Sequence, residues 1–131
     1  MDVTPLIRSD QQVIQGYKSG SFRISSQSYD GAVVVFPEEV KLWAEAAAIK
    51  SADDIKSMTI EDLKPVIDQA DDLDLLILGC GERTVFVSPD LRRELRANGI
   101  NIECMDTGAA CRTYNVLMAE GRRLVAALLP V

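Results

Sequence analysis

The sequence predicts an α/β fold in which βαβ units build a layered core and N-terminal hairpins pack against its edge or face. Two observations lead there. Short runs dense in aliphatic residues, Ala32-Val33-Val34-Val35-Phe36 and Leu73 to Leu78, read as strands buried on both faces. In the second half, strand-like runs alternate with segments of helical apolar spacing that carry start and stop signals, which is the pattern of βαβ units.

The elements follow in order. Residues 1–11 are polar and expected to fray. Val13-Ile14, Phe22-Arg23-Ile24 and Tyr29 to Phe36 read as strands, with Gly16, Gly20, Asp30-Gly31 and Pro37 as turns or strand ends. Val40 to Trp43 reads as a further short strand, and Ala44 to Ile49 also suits a helix. Thr59-x-x-Asp62 has the form of an N-terminal cap. Behind it, Ile60, Leu63 and Ile67 give a helical face through about Ala70, in which Pro65 either kinks the helix or marks its first turn. The strand Leu73 to Leu78 ends at Gly79-Cys80-Gly81, and Val85-Phe86-Val87 reads as a short strand. Ser88-Pro89-Asp90 then opens a helix with a capping Ser, Pro at the first position and an acid in the first turn. Leu91 and Leu95 form its stripe, and Asn98-Gly99 stops it. Ile100 to Met105 is the next strand, followed by a helix from Asp106-Thr107-Gly108 to Gly121 and a closing strand over Val125 to Leu129.

Composition bounds the chemistry. The 131 residues are 47% hydrophobic and 26% charged, ordinary for a globular chain, and suit one domain over 1–131. The net charge of −6 argues against nucleic acid or an anionic lipid surface as partner. Without a histidine, Ser-His-Asp and Cys-His catalysis and His-ligated zinc are excluded. Cys80, Cys104 and Cys111 lack CxxC spacing, so no disulfide framework or metal site is expected. The N-terminus has no secretory pattern, and no apolar stretch is long enough to span a bilayer; a cytoplasmic protein is expected.

Ligands of open α/β sheets collect outside the carboxyl ends of strands. Two such ends stand out, Gly79-Cys80-Gly81-Glu82-Arg83 and Met105 to Arg112. In the second, Gly108, Ala109 and Ala110 open a helix whose N–H groups suit an anion, with Arg112 one turn in; close packing of helix on sheet explains the same small residues. Gly79-x-Gly81 lacks the third glycine of a dinucleotide fingerprint and reads as a tight turn. On the helix, Ala110, Tyr114, Leu117 and Met118 form a core face with Cys111 beside them. Arg112 and Asn115 fall on another face and form a candidate functional pair, or satisfy local carbonyls. Cys111 lies where a helix dipole favours a thiolate, and equally where a small buried hydrophobe fits. Cys80 and Cys104 fall at or near ends of strands inferred to be adjacent, which allows a thiol cluster that no ligand spacing supports. Arg92, Arg93 and Arg96 make a basic helix face, either solvated or a docking face, and Arg122-Arg123 add charge later. Asp68, Asp71, Asp72 and Asp74 lack the ligand order of a calcium loop.

The run from Glu103 to Leu117 (Glu-Cys-Met-Asp-Thr-Gly-Ala-Ala-Cys-Arg-Thr-Tyr-Asn-Val-Leu) resembles the signature of the domain of unknown function 498 family. Glu120-Gly121-Arg122-Arg123 and Ala126 to Pro130 extend that likeness. Leu78-Gly79-Cys80-Gly81 is similar to the family's other strand-end motif, and Gly20-Phe22-Ile24 to its opening hairpin. The resemblance covers about residues 12–131. The family includes the mitochondrial complex I assembly factor 3 proteins and many small bacterial proteins. It implies a three-layer fold: a mixed, roughly five-stranded central sheet with helices, and an additional small β layer. Gly79, Gly81, Asp106, Thr107, Arg112, Tyr114 and Asn115 match motif positions, and Cys80 falls at a variable one. The resemblance implies no established enzymatic activity, and no cofactor is expected.

The expected function is therefore a bacterial, non-enzymatic protein-binding or assembly module, with respiratory complex subunits as implied partners. Homo-oligomers and membrane association through a partner stay open. The alternative is a small-anion-binding protein or enzyme with its site around Gly79–Gly81 and Thr107–Asn115. A redox function of Cys111 is a third reading.

Overall fold

The computed structural model describes residues 11–69 and 72–131. The expected fray over residues 1–10, the helix end at Ala70, and Asp71 lie outside them.

Three strands, β1 (Ile14–Lys18), β2 (Ser21–Ile24) and β3 (Gln27–Asp30), form an antiparallel meander. Both connections are two-residue loops, closed by the pairs Lys18↔Ser21 and Ile24↔Gln27. Ser19, Gly20, Ser25 and Ser26 all have positive φ, the backbone that matches the twist of flanking strands. Serine gives no warning of such a turn, and β3 was not anticipated as a separate strand.

The second sheet contains β4 (Val33–Val35), β5 (Val40–Leu42), β6 (Leu75–Gly79), β7 (Ile102–Met105) and β8 (Leu124–Leu128), in the order β5-β4-β8-β6-β7. Strand β4 is antiparallel to β5 and β8, and β6 is parallel to β8 and β7, so the sheet is mixed as expected. Helix α1 (Ala52–Lys56), α2 (Lys64–Ile67), α3 (Pro89–Ala97) and α4 (Thr107–Ala119) complete the fold. The β6-α3-β7 and β7-α4-β8 crossovers run in opposite directions along the sheet. Right-handed crossovers of opposite direction place their helices on opposite faces.

Strand alternation then divides the core. Val34, Leu76, Leu78, Val125 and Ala127 meet α3 and the helical segment from Trp43 to Val66. Val33, Val35, Ile77, Ala126 and Leu128 meet α4 and, beyond it, Ile14, Phe22 and Ile24 of the three-stranded sheet. Helices, five-stranded sheet, and α4 with the small sheet are the layers.

Several local expectations change. Val85-Phe86-Val87 is not a strand, because it finds no ladder partner; Val87 is buried and Phe86 is 66% exposed. The stretch after Thr59 is two short pieces, a 3-10 turn over Ile60–Leu63 and then α2, whose start Pro65 marks. Asp62 accepts from the Thr59 N–H at 2.9 Å, as the cap pattern foretold. Both readings of residues 40–49 hold in sequence: β5 is followed by a 3-10 turn over Ala44–Ala48. Helix α1 was not anticipated, since Ile55 is its one buried residue.

Candidate functional site

Parallel strands end side by side, so the corner after β6 lies against the start of α4. Thr107 ties them. Its N–H donates to Gly81 O at 2.9 Å, and its Oγ1 accepts from the Gly81 N–H at 2.9 Å and donates to Leu129 O at 2.7 Å. Thr107 has no exposed surface, and all three of its partners are backbone groups at strand ends. The Leu129 N–H donates back to Gly79 O at 2.9 Å, and the Cys80 N–H to Met105 O at 2.8 Å. A Cβ on Gly79 would lie 2.8 Å from Leu128 Cδ2 and 3.1 Å from Thr107 Oγ1, so helix and sheet approach there at a distance that excludes a side chain. Gly81 turns the chain at φ +93°.

The start of α4 is equally occupied. Asp106 Oδ1 accepts from the Ala109 N–H at 2.9 Å, the N-terminal cap. The Ala110 N–H is bonded within the helix to Asp106 O. Gly108 is buried beneath Tyr17, whose hydroxyl would lie 2.5 Å from a Cβ at that position. A capping carboxylate thus stands where an anion would bind, and the Thr107 N–H is already bonded to Gly81.

Of the remaining motif residues, three face inward. Tyr114 is fully buried, burial pushes its hydroxyl up, and that hydroxyl donates to Phe36 O at 3.5 Å. Asn115 bridges to the small sheet: its Oδ1 accepts from the Ile14 N–H at 3.0 Å and its Nδ2 donates to Ile14 O at 2.8 Å. Cys111 is buried, and burial pushes its thiol up to about 12, only partly offset by Arg112. The dipole argument for a reactive Cys111 is outweighed by loss of solvent. Arg112 faces outward and makes no hydrogen bond or ion pair among the described residues. Beside it lie Tyr17, 41% exposed and not singled out in the sequence, and Val116, 57% exposed one turn on along α4.

The ten pocket candidates therefore do not share one cavity. Gly79, Gly81, Asp106, Thr107 and Gly108 form the junction, while Cys111, Arg112, Tyr114 and Asn115 belong to the α4 side. Strand parity sends Cys80 to the opposite face, with Leu78 and Cys104. There a cleft of about 530 Å³ lies outside the carboxyl ends of β6 and β8. Its walls include Ile49, Lys50 and Ile55, then Cys80, Gly81 and Arg83, then Leu129 and Pro130. The far wall comes from α1 and the segment before it, which no sequence motif marked.

The arginine face is partly engaged. Arg92 Nη1 donates to Ile102 O at 3.0 Å, covering the edge of β7, and Arg93 pairs with Asp90. Arg96 stays exposed, and with Arg92 and Glu103 it lines a small cleft of about 170 Å³. In the acidic cluster, Asp74 accepts from the Arg123 N–H at 2.9 Å and pairs with Arg122 at 3.6 Å. Among the described residues, no three His, Cys, Asp or Glu side chains come together to hold a metal ion, and no helix is long and apolar enough to cross a membrane.

A model of a family described as a protein of unknown function (DUF498/DUF598) matches residues 14–129. An uncharacterized protein of Rhodobacter capsulatus is 35% identical over 118 residues, 90% of this chain and 84% of that protein. The NADH dehydrogenase (ubiquinone) 1 alpha subcomplex assembly factor 3 of Danio rerio is 32% identical over 118 residues, which span 90% of this chain but 64% of the assembly factor. A crystal structure of a Bordetella parapertussis protein superposes with a TM-score of 0.78 at 35% identity, covering 94% of this chain and 98% of the other.

Proposed function

The chain belongs to the DUF498/DUF598 family, and from that premise we propose that it is a non-enzymatic protein-binding module serving the assembly of the respiratory NADH:quinone oxidoreductase, complex I. The observation that carries this reading is the likeness to assembly factor 3, which runs through 90% of this chain. The geometry supports it. Thr107, Asp106 and Asn115 direct their polar atoms into the fold, where they join elements to one another. What the same segment turns outward is Arg112 and Val116, with Tyr17 alongside. An exposed arginine beside an exposed tyrosine suits a protein contact, where both residue types are enriched. The alternative anion site has Arg112, unpaired among the described residues, in its favour and the Asp106 carboxylate against it.

The test is a pull-down of the tagged protein from its own host, with bound proteins and small molecules identified by mass spectrometry. Complex I subunits are expected in the wild-type eluate. Arg112→Glu is expected to lower their recovery severalfold while leaving the melting temperature within a few degrees. Normal complex I levels in a deletion strain, with no subunit recovered, overturn the reading. A small anion recovered without protein shifts it to the alternative.

A further inference from the structure

We infer that the ribbon from Arg83 to Phe86, with the cleft beside it, is a docking edge for an extended segment of a partner protein that carries apolar side chains and a carboxylate. This deepens the protein-binding reading above and rests on it. The ribbon follows β6, and the chain runs without turn or bend from Thr84 to Ser88. Thr84-Val85-Phe86-Val87 has the composition of a strand, yet no ladder takes it up. Three contacts hold it against the carboxyl end of the sheet. Thr84 Oγ1 accepts from the Asp106 N–H at 3.2 Å, Val85 O accepts from the Cys80 thiol at 3.1 Å, and Val87 is buried in the core. The segment is therefore ordered before any partner arrives, which lowers the cost of binding.

Its outer side is unused. Among the described residues, the N–H and C=O groups of Thr84 and Phe86 make no hydrogen bond. Free backbone groups at alternate residues are what one edge of a strand presents, and a second extended chain satisfies them. The Phe86 ring is exposed between half-buried Val85 and buried Val87, an aromatic anchor with nothing of this chain upon it.

Ribbon and cleft form one surface. Arg83 and Val85 line the 530 Å³ cleft, whose other walls include Ile49, Ile55 and Leu129. An added strand directs every second side chain to one face, and these walls suit an apolar set. The charge is supplied by Arg83, which is exposed and makes no hydrogen bond or ion pair among the described residues. Lys50 stands on the far wall, but Asp54, whose carboxylate accepts the Lys50 N–H at 2.9 Å, offsets it. Glu82 lines the cleft next to Arg83, so a single carboxylate fits and an acidic tract does not. A small molecule held in the cleft would leave the Phe86 ring, which lies outside its lining, and the free backbone of Thr84 and Phe86 unused. An extended chain engages all of them.

Panning a library of random dodecapeptides on the whole immobilised chain tests this. Enriched peptides are expected to share alternating apolar residues and an Asp or Glu. Phe86→Ser is expected to weaken a synthetic consensus peptide about tenfold or more, and Arg83→Glu severalfold, both with melting temperatures within a few degrees of wild type. Lys64→Glu, the same charge reversal elsewhere on the surface, should leave binding unchanged. With the peptide bound, amide exchange at Thr84 and Phe86 is expected to slow about tenfold or more. No enrichment, peptides indifferent to Phe86→Ser, or unchanged exchange at residues 84 and 86 would each overturn the proposal. So would a dimer of the free protein that Phe86→Ser abolishes, since the occupant would then be a second copy. The library holds no host protein, so the two readings fail separately. Enrichment without complex I in the pull-down keeps this edge and refutes the partner named above; complex I without enrichment does the reverse.

Discussion

Thr107 joins three strand ends through a single hydroxyl. Thr107→Val keeps the shape of the side chain but leaves Gly81 N–H and Leu129 O without their buried partner. An orphaned buried group costs about 1–3 kcal/mol, so a loss of about 2–3 kcal/mol is expected in urea unfolding. Thr107→Ser retains the hydroxyl and removes one methyl, for a smaller loss of about 1 kcal/mol. Equal stability of the Val variant and the wild type would show the hydroxyl to be incidental. The residue types of this junction were legible: glycine for close approach, and a hydroxyl next to a helix start. The division of the remaining candidates was not. Cys80, Arg112 and Asn115 stand at short distances from Gly79 and Thr107 along the chain, yet side-chain direction sends them to different faces. Sequence distance carries no such information until strand boundaries are fixed.

At the level of elements, α3 and α4 show how much local chemistry specifies. Ser88 Oγ accepts from the Leu91 N–H at 3.1 Å, and Asp106 does the same for α4. Both helices end alike. The N–H groups of Gly99 and Ile100 donate to Arg96 O and Leu95 O, and those of Gly121 and Arg122 to Met118 O and Leu117 O. Each stop places a positive-φ glycine just past the helix, which is why Asn98-Gly99 and Gly121 announced themselves in the sequence. Asp106→Ala should therefore cost about 1 kcal/mol in denaturant unfolding, with Asp106→Asn within a few tenths of wild type. If Asn proves as damaging as Ala, the carboxylate is doing something other than capping. Elements without such signals were missed or misread. Helix α1 has one buried apolar residue, and Val85-Phe86-Val87 has strand composition with nothing to pair with.

On the scale of the whole molecule, the small sheet is held to α4 by Ile14, Phe22 and Ile24 and by the two hydrogen bonds of Asn115 to Ile14. Asn115→Ala removes both bonds at a partly buried place, for an expected loss of about 1–3 kcal/mol. Hydrogen exchange should localise it, with protection falling in β1–β3 before β6 and β8. Uniform loss across both sheets would mean that the layers open as one unit. The layered architecture was readable from strand and helix order. The contact between Asn115 and Ile14, 101 residues apart, was not, because a side-chain bond to distant backbone leaves no local pattern.

Strand β8 follows every other described strand in the chain, yet it lies in the middle of the sheet, between β4 and β6. A growing polypeptide thus makes the two flanks first and the keystone last. Until Leu124 to Leu128 has been synthesised, Val33 to Val35 and Leu75 to Gly79 have unpaired, wholly apolar borders facing a vacant slot. The nascent protein is consequently most prone to stick to its neighbours just before residues 124–128 are made, and a chain cut before residue 124 would lose the join between both halves of the sheet, not merely an edge.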